Sequence, residues 1–171
     1  MNLKTLNQNV RGLRTKTNGL LLHSSSYIAD IYVLTETWLC NNINDAEMFD
    51  TIYHVFRRDR YDNATSTARG GGVLVAVKSM FLSAMVVLKN KIDALECICV
   101  SIKLNGRCLY LFCVYIPPVG AVALYENLVQ YIRELSMEMC TVNDEIMIMG
   151  DFNLPNVNLI HSHDGDYLIP R

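Results

Sequence analysis

Two apolar runs joined through Asn-Gly constrain this chain more than any other feature. Leu95 to Lys103 and Arg107 to Tyr115 flank Leu104-Asn105-Gly106. Asn-Gly accepts the two positive φ angles of a type I′ turn, so a tight antiparallel hairpin is expected here. The flanking runs do not alternate between apolar and polar residues. Leu109 to Val114 is apolar throughout, and so are Val73 to Val77 and Ile146 to Met149. Strands of this kind are covered on both faces. Two stacked sheets with helices outside would cover them, and so would a doubly wound parallel sheet. The hairpin favours the stacked sheets.

Further elements follow from local pattern. Strands are expected at Leu3 to Val10, Asp30 to Thr37, Tyr53 to Phe56, Gly72 to Lys78, Leu82 to Leu88 and Glu145 to Met149. Thr15 to Ser26 reads as a short helix fraying at its serines. Ala121 to Cys140 reads as a long one, because Leu124, Leu128, Tyr131, Ile132, Leu135 and Met139 recur at helical spacing. The tail from Leu154 to Arg171 reads as irregular. With 171 residues and no linker or repeat, residues 1–171 are expected to form a single domain.

Composition narrows the function classes. Apolar residues make up 51% and charged residues 19%, enough to build a core and too little charge for disorder. No apolar run reaches the roughly eighteen residues of a membrane helix. Met1 to Val10 has no apolar signal core. None of the six cysteines (Cys40, Cys97, Cys99, Cys108, Cys113 and Cys140) has a partner at Cys-x-x-Cys spacing. They read as buried thiols in a reducing, intracellular setting. The net charge of −2 offers no general attraction to nucleic acid. A nucleic-acid role therefore needs a bound cation or a local basic patch.

Candidate chemistry sits where apolar strands end in polar residues. Asn7 and Asn9 close the first strand, and the two are equally placed. Thr35-Glu36-Thr37 closes the second, Tyr115 a later one, and Asp151 and Asn153 the last. Carboxylates and amides gathered at strand ends suit Mg²⁺, a hard cation that takes one or two carboxylates and keeps several waters. Arg57, Arg58, Arg60 and Arg69 flank a polar loop and read as solvated turn residues or as phosphate-backbone contacts. Gly70-Gly71-Gly72 is not a P-loop, since no Gly-Lys-Ser/Thr follows. His161 and His163 lack a further zinc ligand set.

Five segments then stand in a recognisable order: Asn9-Val10-Arg11-Gly12-Leu13, Leu34-Thr35-Glu36-Thr37-Trp38-Leu39, Arg69-Gly70-Gly71-Gly72-Val73, Val114-Tyr115-Ile116-Pro117-Pro118 and Gly150-Asp151-Phe152-Asn153. Together they resemble the endonuclease/exonuclease/phosphatase superfamily, with its DNase I-like fold. They are most similar to the apurinic-type endonuclease domain of insect-type non-LTR retrotransposons. The resemblance implies a four-layer α/β/β/α sandwich of two mostly antiparallel sheets with outer helices, incomplete at the C-terminus. It implies Glu36 as a metal-holding residue and Asn9 as a support of the metal site, with Mg²⁺ or Mn²⁺ as cofactor. Tyr115 corresponds to a tyrosine on the scissile phosphate, Asp151 to the aspartate that positions or deprotonates water, and Asn153 to the asparagine that fixes it. The implied activity is metal-dependent nicking of DNA, in the nucleus, with a reverse transcriptase domain in cis. The family's Ser-Asp-His segment is absent from the sequence, which weighs against activity of the chain as it stands. A phosphatase or lipid phosphodiesterase of the same superfamily, or a non-catalytic retroelement remnant, are the alternative readings.

Overall fold

A computed structural model describes residues 2–26, 29–60, 70–87, 95–118, 122–154, 157–162 and 165–170. The elements run β1 (Thr5–Asn9), α1 (Thr17–Ser26), β2 (Ile31–Thr35), a 3₁₀ turn (Asp45–Glu47), β3 (Tyr53–Arg58), β4 (Val73–Lys78), β5 (Ser83–Met85), β6 (Glu96–Leu104), β7 (Arg107–Tyr115), α2 (Val122–Glu138), β8 (Glu145–Asp151), β9 (Val157–Ser162) and β10 (Gly165–Pro170). One four-stranded sheet has the order β1-β2-β4-β3 and the other β5-β6-β7-β8. Each sheet contains one parallel pair, β1 with β2 and β7 with β8; its other pairings are antiparallel.

The Asn-Gly hairpin forms as expected. Leu104 pairs with Arg107. Asn105 and Gly106 have φ of 45° and 84°, the positive pair that a type I′ turn requires. Stacking of the sheets explains β4 and β7, which are apolar and buried on both faces. It does not explain β8: as an edge strand it leaves Met147 and Ile148 exposed at 40% and 39%, against the expectation that Ile146 to Met149 is covered on both faces. On β4, Val73, Val75 and Val77 face the space between the sheets, where they meet Ile98, Val100, Ile102, Leu109 and Leu111. Leu74 and Ala76 face outward into a second cluster with Leu13, Leu39, Met48, Phe49 and Tyr53. On the far side of the other sheet, Cys108, Tyr110, Phe112 and Val114 receive Leu128, Tyr131 and Leu135 of α2. At about 25 cal/mol per Å² of apolar area buried, these three layers supply the main drive for folding.

Some boundaries differ from expectation, each for a local reason. The serines do not fray α1: Ser24, Ser25 and Ser26 donate their hydroxyls back to Leu21 and Leu22 carbonyls at 2.7–3.0 Å, which caps those groups within the helix. β8 continues past Met149 to Asp151, because Tyr115 of β7 still offers it a partner. α2 stops at Glu138, and Met139 is half exposed rather than part of the buried stripe. The tail is not irregular. β9 and β10 pair antiparallel from Ser162–Gly165 to Val157–Pro170, because Val157–Ile160 and Tyr167–Ile169 are β-prone runs on either side of a turn-forming segment. The expected strand from Leu82 is reduced to Ser83–Met85, and Leu88 lies outside the described residues.

Candidate active site

The parallel pairs bring four strand ends to one end of the stacked sheets. Asn9 ends β1 beside Thr35 of β2. Tyr115 ends β7 beside Asp151 of β8. The ends then join across the sheets. The Asn9 amide Nδ2 donates to Asp151 Oδ2 at 2.6 Å, and the Tyr115 hydroxyl stands close enough to the Glu36 carboxylate to interact with it. Of the two rival asparagines, then, Asn9 meets the aspartate, while Asn7 is exposed.

Glu36 is held by backbone and side chain. It is buried, with 9% of its surface exposed. The chain just after β2 is hydrogen-bonded on both sides: Gly12 and Leu13 N–H donate to the Glu36 and Thr37 carbonyls at 2.7 and 2.8 Å, and Trp38 N–H donates to Gly71 at 2.9 Å. Within it Glu36 and Trp38 take φ of 58° and 55°. Arg11 and Asn153 do so too, at 46° and 44°. Left-handed backbone costs a non-glycine residue about 1–2 kcal/mol. Four such residues beside one cluster of polar side chains mark a place where geometry outweighs local comfort. Trp38 adds a direct contact, its indole N–H donating to Glu36 Oε2 at 2.5 Å. The indole also packs against Gly12, where a Cβ would come within 2.6 Å of the ring.

Asp151 and Asn153 form a second rigid piece. Gly150 has φ of 138°. Asn153 N–H donates to Asp151 Oδ1 at 3.3 Å, and Ile116 N–H to the Asp151 carbonyl at 3.0 Å. The Asn153 side-chain amide donates to the Ile116 carbonyl at 2.9 Å. Asn153 therefore ties the ends of β7 and β8 together and fixes Asp151 through its backbone.

Burial raises the pKa of Tyr115 above the ordinary phenol range. The neighbouring Glu36 carboxylate raises it further, Arg60 pulls it back, and Glu96 adds a smaller push upward. The hydroxyl is therefore a proton donor at neutral pH. The donors turned to this end of the sheets are carboxylate, amide and phenol oxygens, which suit Mg²⁺ or Mn²⁺ rather than softer metals. Among the described residues no group of three or more His, Cys, Asp or Glu side chains is placed to hold a metal ion. Mg²⁺ does not require one, because it keeps waters and binds substrate phosphate alongside one or two carboxylates. The residues fit that ion.

The four arginines separate. Arg57 pairs with Asp45 at 3.1 Å and donates to the Ile43 carbonyl at 2.9 Å, so it ties β3 to the loop before it. Arg58 donates to the Leu95 carbonyl at 2.7 Å. Arg60 alone among the described arginines of this group reaches the site. Its guanidinium carbon lies 5.6 Å from the centre of the Tyr115 ring, and it pairs with Glu96. Arg69 lies outside the described residues. Glu96 was not foreseen. It opens β6, and only the antiparallel register, which sets it opposite Tyr115, brings it to the site.

The fold is that of the DNase I-like proteins. It is shared with the endonuclease domain of TRAS1, a telomere-specific non-LTR retrotransposon, at TM-score 0.59 and 14% identity, covering 88% of this chain and 60% of that one. The AP endonuclease LMAP from Leishmania major aligns at TM-score 0.65 and 14% identity, over 96% of this chain and 59% of that one. TDP2 from D. rerio, complexed with single strand DNA product, aligns at TM-score 0.58 and 17% identity, over 89% of this chain and 61% of that one. The chain thus spans about three fifths of the length of these structures. No protein-family model matches the sequence, and no curated protein does. No described helix is long and apolar enough to cross a membrane.

Proposed function

We propose that the chain is the larger part of a divalent-metal phosphodiesterase domain that nicks DNA, of the non-LTR retrotransposon endonuclease type, acting in the nucleus with a reverse transcriptase domain in cis. The observation that carries the reading is the meeting of Asn9, Glu36, Tyr115 and Asp151 at one end of the stacked sheets. The DNase I-like fold supports it, as do solved structures of this fold that are endonucleases or hold DNA.

Each residue then has a task. Glu36, braced by the Trp38 indole, holds the cation, and Asn9 supports the site from β1. A bound Mg²⁺ or Mn²⁺ supplies Lewis-acid charge stabilisation to the phosphate and the leaving oxygen. Asp151, fixed by Asn9 and by the Asn153 backbone, orients the attacking water and accepts its proton. Tyr115 keeps its proton and donates a hydrogen bond to a phosphate oxygen, an interaction that strengthens as charge builds there. Asn153 holds the β7 and β8 ends in register.

The test is relaxation of supercoiled plasmid. The chain with Mg²⁺ or Mn²⁺ is expected to produce open circles, and EDTA to stop it. Glu36→Ala and Asp151→Ala should each slow nicking by about a hundredfold or more. Absence of nicking by the wild-type chain with either metal, restored in a longer chain that carries a Ser-Asp-His segment, would point to truncation, and absence in both would count for a non-catalytic remnant. Hydrolysis of a phosphoinositide without DNA nicking would move the substrate to lipid.

A further inference from the structure

The run Gly70-Gly71-Gly72 is longer than entry into a strand requires. All three have positive φ, at 113°, 71° and 85°. A Cβ on Gly71 would overlap both the Arg60 guanidinium and the Glu96 carboxylate, and one on Gly70 would stand 3.1 Å from Arg60 Nη1. The glycine backbone therefore forms a bare wall against which the Arg60–Glu96 pair lies. Glu96 grips from the other side. Its Oε1 accepts from Arg60 Nε at 2.5 Å and also pairs with Nη2, and its Oε2 accepts from Gly72 N–H. Arg60 is thus oriented by a carboxylate, a glycine wall and the Tyr115 ring.

We propose that this clamp makes Arg60 the cation that receives the scissile phosphate beside Tyr115, with Glu96 as the positioning residue that sets the plane of its guanidinium. The inference rests on the phosphodiesterase reading and names a further residue of that site. The chemistry is specific. The site gathers the carboxylates Glu36, Glu96 and Asp151, so an anionic phosphodiester entering it meets repulsion that a bound cation and a fixed guanidinium offset. A planar guanidinium matches the spacing of two phosphate oxygens, as an ammonium does not. The histidines with described side chains stand elsewhere, His23 against Tyr32 and His54 near Ser83, so neither serves the phosphate.

Binding of a fluorescein-labelled DNA duplex, followed by anisotropy in EDTA over a range of salt, tests this without catalysis. Arg60→Gln is expected to weaken binding about tenfold and to lower the log–log salt slope by about one. Arg60→Lys should keep the slope and lose about threefold. Gly71→Ala changes no charge yet displaces the guanidinium, so it should weaken binding nearly as much as Arg60→Gln. Glu96→Gln removes one negative charge and should still weaken binding about threefold. Tighter binding would show that the carboxylate only opposes DNA, and would overturn its positioning role. Melting temperatures identify any variant that fails to fold, and Arg60→Lys and Gly71→Ala then carry the test. Wild-type affinity and slope in Arg60→Gln and Gly71→Ala would overturn the clamp while leaving the phosphodiesterase reading in place. A wild-type chain that binds no duplex would overturn both. Binding without nicking would count only against the catalytic reading.

Discussion

Gly150→Ala tests how the end of β8 is built. Gly150 pairs with Val114 across the parallel β7–β8 ladder, and Asp151 follows it. A Cβ at Gly150 would lie 2.8 Å from the Val114 carbonyl carbon and 2.9 Å from its nitrogen, and closer still to its oxygen. All of these are backbone atoms, so no side-chain rotation relieves the overlap. The backbone at φ 138° adds strain for any L side chain. Overpacking costs about 1–3 kcal/mol, and the conformational strain about 1 kcal/mol more. The sum is about 2–4 kcal/mol. For a chain of 171 residues it corresponds to a fall in Tm of about 5–15 °C. Because β8 must shift off β7, Asp151 should also leave Asn9, and nicking should fall even where the variant is folded. Thermal unfolding followed by circular dichroism, with plasmid nicking below the transition, measures both. A Tm within about 1 °C of wild type, with undiminished nicking, would refute the account of Gly150.

Two further predictions concern titrating groups. Burial alone would raise the pKa of Asp30. Hydrogen bonds from Lys4 N–H and Lys78 Nζ, with the charges of both lysines, outweigh it and hold the carboxyl below the ordinary carboxylate range. A depressed folded pKa stabilises the fold above the unfolded pKa of about 4 and loses that contribution as pH falls through the folded value. Asp30→Asn should therefore be less stable than wild type by about 1 kcal/mol at neutral pH, and urea unfolding curves of the two should converge below about pH 4. The second concerns thiols. Burial pushes the Cys97 thiol up to about 12, with Arg58 pulling it back slightly, and raises Cys99 and Cys113 as well. With an aromatic disulfide reagent at about pH 8, half-buried Cys140 should react first. Cys97, Cys99, Cys108 and Cys113 should react only at the rate of unfolding. Rapid modification of any of these four in the native protein would contradict their packing.

What could be read from the chain and what could not divides along physical lines. The β6–β7 hairpin was legible because Asn105-Gly106 is a local conformational signal. The stacked sheets were legible because Val73–Val77 and Leu109–Val114 leave no polar face for water. Glu36, Tyr115 and Asp151 stood out as polar residues ending apolar strands, a pattern confined to neighbouring positions. Asn7 and Asn9 could not be separated. They share strand parity, and only the place of Asp151 on another sheet distinguishes them. Glu96 was invisible because it reaches the site through a pairing register, not through its own surroundings. The Arg60 clamp was equally hidden, since Gly70-Gly71-Gly72 and Arg60 belong together only in space. The β9–β10 hairpin was missed because proline and turn formers outweighed two short β-prone runs.

Trp38 provides the most direct measurement of the central claim, that Glu36 lies in a divalent-cation site at these strand ends. It is the only tryptophan, and its indole N–H donates to the Glu36 carboxylate at 2.5 Å. Titration with Mn²⁺, a paramagnetic quencher, should reduce Trp38 fluorescence saturably. Mg²⁺ should compete, and Glu36→Gln should abolish the saturable phase while retaining the wild-type fold. Fluorescence that does not respond to Mn²⁺, or that responds equally in Glu36→Gln, would contradict the metal site and the phosphodiesterase built on it.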